Sequence, residues 1–225
     1  MAHTGLFKVW ATGLTAILAV ILLFAAFTTG AGAQEPPCTG DVVLDPGHGG
    51  TDSGAVNTKY GLTEKEQNLE VATRLKALLE NDGYTVCMTR TTDKTLSNND
   101  RYTYANTTGA RVLVSIHMNG STNTTQDYTT TLFGKWRKDK ELATTVFGSL
   151  STLPAANGTG TIATRAPYSF ASGVLLKSEM PATIAETVFI TSDREGQLLS
   201  DGTGTRQQQI AQALRVGIED YLTTH

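Results

Sequence analysis

The 225-residue sequence has no run of Lys or Arg that would make a basic stripe, and its formal net charge is −3. Neutralising the phosphates of a nucleic acid requires clustered positive charge, so nucleic acid is not an expected partner. No Gly-Lys-Ser/Thr follows a glycine loop, and the turn that begins at Gly47 has Asp52 where a dinucleotide fingerprint needs its last glycine. Both nucleotide-loop readings therefore fail. There is no internal repeat and no second low-complexity boundary, so a single domain with one sizeable core is expected. Cysteine is scarce: only Cys38 and Cys87 occur, and no motif places a base beside either, so thiol catalysis is not indicated.

What is present begins with an apolar run at residues 9–27, behind a short segment whose positive charge comes from Lys8 and the amino terminus. The run closes on Ala31-Gly32-Ala33, the small-residue pattern at which signal peptidases cut. Residues 1–33 are read as a signal peptide or, given the length of the run, a membrane anchor, with cleavage favoured by the flanking residues. Either way the remainder is expected to be exported. Residues 34–40 read as a polar linker and 41–225 as the catalytic domain. Cys38 just precedes the first candidate strand and Cys87 lies in the second, so adjacent strands would allow a disulfide in an exported protein. Two separate thiols are the alternative.

Along the domain, Asp41–Asp45 reads as a buried strand leading into the turn Pro46-Gly-His-Gly-Gly50. Thr63-Glu-Lys-Glu66 has capping-box spacing, and Leu69, Ala72, Leu75, Leu78 and Leu79 then recur at helical period until Gly83. Tyr84–Thr89 reads as a second strand, Asp100–Thr107 as a helix, and Val112–His117 as a third strand, apolar almost throughout. Leu142–Leu150 reads as a helix, Ala182–Glu186 as a strand, and Ile210, Leu214, Ile218 and Leu222 mark a C-terminal helix. Strands alternating with helices predict an α/β fold, a mainly parallel twisted sheet with helices on both faces.

Three candidate metal ligands stand at the ends of these elements: His48, Glu64 and His117. Two imidazoles and one carboxylate form a catalytic zinc donor set that keeps a fourth position open for water. Each also has a plainer role. His48 would cap a glycine turn, Glu64 would complement a helix dipole, His117 would pack at a strand end, and Glu186 would pair with an arginine. Glu66 is the nearest rival to Glu64 as ligand. Arg90, Asp93 and Arg101 either orient the site or form surface pairs, with a structural role favoured.

The segments Leu44-Asp-Pro-Gly-His-Gly-Gly50, Glu64-Lys-Glu-Gln-Asn-Leu69, Ser115-Ile-His-Met-Asn119 and Glu186-Thr-Val-Phe-Ile190 occur in that order. Together with Thr89-Arg-Thr-Thr-Asp93 and Arg101, the chain from Asp41 to its end resembles the zinc-dependent N-acetylmuramoyl-L-alanine amidases of the Amidase_3 family. The resemblance implies a peptidoglycan substrate, one Zn2+ ion bound by His48, Glu64 and His117, and Glu186 as the catalytic carboxylate. The leader places the domain in the extracellular space, cell wall or periplasm, with membrane attachment if it is kept, and a monomer is expected. Met118 and Glu66 depart from the family's usual residues without removing a ligand. With 68 residues between His117 and Glu186, an open groove is expected rather than one covered by the blocking helix of some periplasmic members. The alternatives are another envelope zinc hydrolase, such as a stem-peptide peptidase, and an inactive peptidoglycan-binding module.

Overall fold

The structure, a computed structural model, describes residues 1–2, 35 and 37–225. The leader read into residues 1–33 lies outside the described residues apart from the first two. In chain order the elements are β1 (Val42–Pro46), β2 (Val56–Asn57), β3 (Leu62–Thr63), α1 (Glu64–Asn81), β4 (Val86–Met88), α2 (Asn98–Thr107), β5 (Val112–Asn119), β6 (Thr130–Phe133), α3 (Trp136–Leu150), β7 (Tyr168–Ser169), α4 (Gly173–Lys177), β8 (Ala182–Phe189), α5 (Asp193–Leu199) and α6 (Thr205–Thr224).

Six strands form one sheet in the order β4-β1-β5-β8-β6-β7. The first four are mutually parallel, β6 runs antiparallel to β8, and β7 runs parallel to β6. Buried side chains alternate between the two faces, as the pleat requires. Val42, Leu44, Val112, Val114 and Ile116 pack with Leu75 and Leu79 of α1, Leu142 of α3 and Leu214 of α6. Val43, Leu113, Ala182 and Ile184 pack with Tyr104 of α2 and Val174 and Leu175 of α4. Helices thus cover both faces, which explains why the central strands read as continuous apolar runs.

Several boundaries differ from the sequence reading for physical reasons. The capping box at Thr63 is not formed: its hydroxyl donates to Glu66 Oε2 at 2.7 Å instead of accepting a helix N–H. Thr63 is engaged in the small β2–β3 ladder opposite Val56, and that pairing fixes its backbone. Helix α2 carries the complete capping box instead, with Ser97 and Asp100 exchanging hydrogen bonds. Strand β8 continues past Glu186 to Phe189 because Ile190 N–H is still held by Asn119 O. Strand β6, with its two threonines, gave no apolar run to read.

Cys38 and Cys87 are joined in a disulfide with Cα atoms 5.9 Å apart, tying the segment before β1 to β4. A bridge across 49 residues contributes about 4 kcal/mol in the chain-entropy model. No helix among the described residues is long and apolar enough to cross a membrane. Leu75 is fully buried between α1 and the sheet. Leu75→Ala is expected to destabilise by about 2–5 kcal/mol, read as a lowered urea midpoint at constant slope; an unchanged midpoint would contradict this packing.

Candidate functional site

The parallel strands β1, β5 and β8 end side by side, and the loops leaving such carboxyl ends are where α/β sheets place their sites. His48 follows β1, His117 lies near the end of β5, and Glu64 is the first residue of α1. Glu64 Oε1 lies 3.1 Å from His48 Nε2 and 3.0 Å from His117 Nδ1. The two imidazole rings meet edge to face with centroids 4.9 Å apart.

These three residues supply one ligand atom each, all within 4.8 Å of one another. Donors about 2.0–2.1 Å from a tetrahedral zinc lie about 3.3 Å apart, close to the two spacings from Glu64, while the histidine donors lie within 4.8 Å of each other, so the donor set fits such an ion with a small inward shift of the two rings. Two nitrogen donors and one oxygen donor also suit zinc chemically. Glu66, the rival ligand, is turned away toward Thr63.

The candidate donors His48 and Glu64 are held from behind. Asp52 Oδ2 stands 2.8 Å from His48 Nδ1, where a carboxylate can only accept, so the proton sits on Nδ1 and Nε2 faces the other ligands. Glu64 accepts from Ala55 N–H at 2.9 Å and from Met118 N–H at 3.1 Å. Burial works against charge on both partners, yet the charges win. His117 and His48 hold the Glu64 carboxyl far below its usual range, and Glu64 and Asp52 push His48 up to about 9.

The loop geometry has a cost. His48 has φ +60°, a conformation that costs a non-glycine residue on the order of 1–3 kcal/mol. Gly47 is required by closeness: a Cβ there would stand 2.2 Å from the His117 ring. Gly54 has φ +64°, and a Cβ would meet Glu64 Oε2 at 2.5 Å and His48 Cδ2 at 2.6 Å. Two buried arginines clamp the strained turn. Arg90 donates to Pro46 O, Gly47 O and Lys65 O, and Arg101 donates to Pro46 O and His48 O. Asp93 takes Gly50 N–H and the Lys65 ammonium. These residues act on the loop that carries His48, not as surface pairs.

Glu186 is paired in register with His117 on the adjacent strand, so both side chains leave the same face of the sheet. No arginine pairs with it among the described residues. Burial raises its pKa and the negative charge of Glu64 adds to that, while His117 and His48 oppose. The carboxyl faces a cavity of about 470 Å³ lined also by His48, His117, Ser115, Tyr168 and Phe170. Asp52 is the site residue that sequence reasoning passed over. Its signal was its place four residues after His48, within reach of the ring across a tight glycine turn.

A mainly parallel α/β sheet with two imidazoles and a carboxylate converging at its carboxyl edge defines a class of protein built around one metal-type donor set. The particular family follows from comparison. Residues 42–220 match the model of Amidase_3, N-acetylmuramoyl-L-alanine amidase, and the chain belongs to this family. It is 31% identical over 202 residues to the N-acetylmuramoyl-L-alanine amidase LytC of Bacillus subtilis strain 168, covering 88% of this chain and 38% of that protein. It is 30% identical over 220 residues to the amidase AmiA of Escherichia coli K12, covering 80% of this chain and 75% of AmiA. Among solved structures, the N-acetylmuramoyl-L-alanine amidase of Clostridium difficile 630 superposes with a TM-score of 0.73 at 30% identity, covering 84% of this chain and 99% of that one. The fold matches that of amidase catalytic domains. The chain spans well under half the length of LytC.

Asp45 lies beneath the turn, wholly buried, and accepts from Arg101 at 2.7 Å, Thr89 at 2.6 Å and Ser115 at 2.6 Å. Burial disfavours its charge, but Arg101, Ser115 and Thr89 hold its pKa below the usual carboxylate range. A depressed folded pKa stabilises above the unfolded value of about 3.9 and loses that contribution as pH falls. Asp45→Asn is therefore expected to cost about 3 kcal/mol near neutral pH. Urea unfolding of both proteins should show this gap closing below pH ~4; a gap constant down to acid pH would contradict the ionised pair.

Proposed function

We propose that the protein hydrolyses the amide bond between N-acetylmuramic acid and the L-alanine that begins the stem peptide of peptidoglycan. His48, Glu64 and His117 would hold one zinc ion, and Glu186 would be the catalytic carboxylate. The observation that carries this reading is the approach of the three donors to within 4.8 Å, with Glu186 in register beside His117.

Zinc held there supplies Lewis acidity, lowering the pKa of water toward neutrality and polarising the scissile carbonyl. The remaining work belongs to the chain. Glu64, with its depressed pKa, stays a carboxylate, and Asp52 keeps His48 in the tautomer that presents Nε2. Glu186 serves first as base, taking a proton from the attacking water, and then as acid, giving it to the departing L-alanine amine. A carboxyl with a raised pKa is suited to the second role, because its acid form lies closer to neutral pH. The cavity leaves the donor set accessible from the side that Tyr168 and Phe170 border, in keeping with an open groove. A peptidoglycan substrate also fits export through the leader, whether cut or kept as an anchor, and action outside the cytoplasm as a monomer.

Glu186→Gln is expected to retain one zinc per chain by metal analysis while kcat falls by about two to four orders of magnitude. His48→Ala and His117→Ala should lose zinc and activity together. A Glu186→Gln protein with wild-type kcat would contradict the assigned role.

A further inference from the structure

Arg165 stands outside the machinery described so far, yet it is positioned relative to that machinery by the sheet. Its N–H donates to Thr129 O at 3.0 Å, next to the Thr129–Thr164 bridge, and Thr130 of β6 is the register partner of Glu186. Arg165 is thus level with Glu186 with one strand between them, a backbone separation of about 10 Å at 4.7–4.9 Å per strand.

The side chain is exposed but held. Its guanidinium stacks on the Tyr168 ring, 4.6 Å from the centroid, and Nη1 donates to Tyr128 Oη at 3.3 Å. Tyr128 is itself fixed edge to face against Phe189, with centroids 4.7 Å apart. Tyr168 lines the cavity that holds Glu186 and both histidines, so the stacked guanidinium sits at the border of that cavity. No carboxylate of the described residues pairs with it. A pre-oriented planar cation with most of its five donors uncommitted suits a bidentate carboxylate.

We propose that Arg165 is a specificity residue that binds the free carboxylate of the second stem-peptide residue, and this rests on the amidase reading. That residue is joined through its side-chain carboxyl, so its main-chain carboxylate, or the corresponding amide, hangs beside the first peptide bond. Two residues of extended chain reach about 7 Å, a length comparable with the backbone separation of about 10 Å between Glu186 and Arg165, which the long arginine side chain shortens further. A charged carboxylate takes two charge-assisted bonds from the guanidinium, whereas a carboxamide offers one neutral acceptor and turns an N–H2 toward the cation.

The test uses the full chain with two soluble substrates, N-acetylmuramoyl-L-alanyl-D-glutamate and N-acetylmuramoyl-L-alanyl-D-isoglutamine. Wild type, Arg165→Gln and Arg165→Lys are compared by kcat and KM, and the affinity of Glu186→Gln protein for each substrate is measured with and without the Arg165 change. The acid is expected to bind about tenfold more tightly than the amide. Arg165→Gln should abolish that preference through KM more than through kcat, and Arg165→Lys should restore part of it. Equal affinity for acid and amide in the parent protein, or an unaltered preference in Arg165→Gln, would overturn the proposal. Absence of cleavage of either substrate by zinc-loaded wild type would instead count against the amidase reading, and the affinities would still decide the role of Arg165.

Discussion

Glu64 Oε1 stands about equally far from two imidazole nitrogens that arrive from different strands, and most of the surrounding structure is arranged to keep it there. Bringing His48 to this point forces a left-handed backbone on a residue with a side chain. Such a turn persists only if its neighbours determine it, and here they do: Arg90 and Arg101 bind the carbonyls of Pro46, Gly47 and His48 from within the protein. Asp45 then neutralises the charge of Arg101, one of the two that this clamp buries. The chain of dependence runs from a buried ion pair through a strained loop to an imidazole and its carboxylate partner.

Sheet topology supplies what the loop cannot. Parallel pairing of β5 with β8 sets His117 directly beside Glu186, and the register makes both point to the same face. The switch in direction at β6 then carries the chain back along the outer side of the site. The segment 164–170 that follows builds the wall of Tyr168 and Phe170, with Arg165 stacked on it. Glu186 and the segment that carries Arg165 and Tyr168 thus lie on either side of β6 in one sheet, which keeps their spacing fixed.

Much of this was legible in the sequence, for identifiable reasons. The apolar runs of β1 and β5 announced a doubly covered sheet, and the Leu75–Leu79 periodicity announced α1. The candidate donor triplet was not readable from spacing, because His48, Glu64 and His117 come from three separate segments; the ordered motifs of the Amidase_3 resemblance brought them together. Asp52 was missed because its role depends on a turn conformation that no periodicity reveals. Thr63 misled because a hydroxyl that can cap a helix can as well bond the carboxylate one turn on, and the β2–β3 ladder decided between them. The cavity wall was not legible at all: β6 and β7 are too short for a periodic pattern, and Arg165 reads as any surface arginine until its stacking on Tyr168 is seen.

The central claim is that the three-donor site, with Glu186 beside it, cuts peptidoglycan at the first amide of the stem. Its most direct test is incubation of the zinc-loaded protein with purified peptidoglycan, with and without a chelator, followed by mass spectrometry of the soluble fragments. The account predicts free stem peptides beginning at L-alanine, lost on chelation and recovered when zinc is returned. Fragments cut within the stem, or within the glycan, would contradict it.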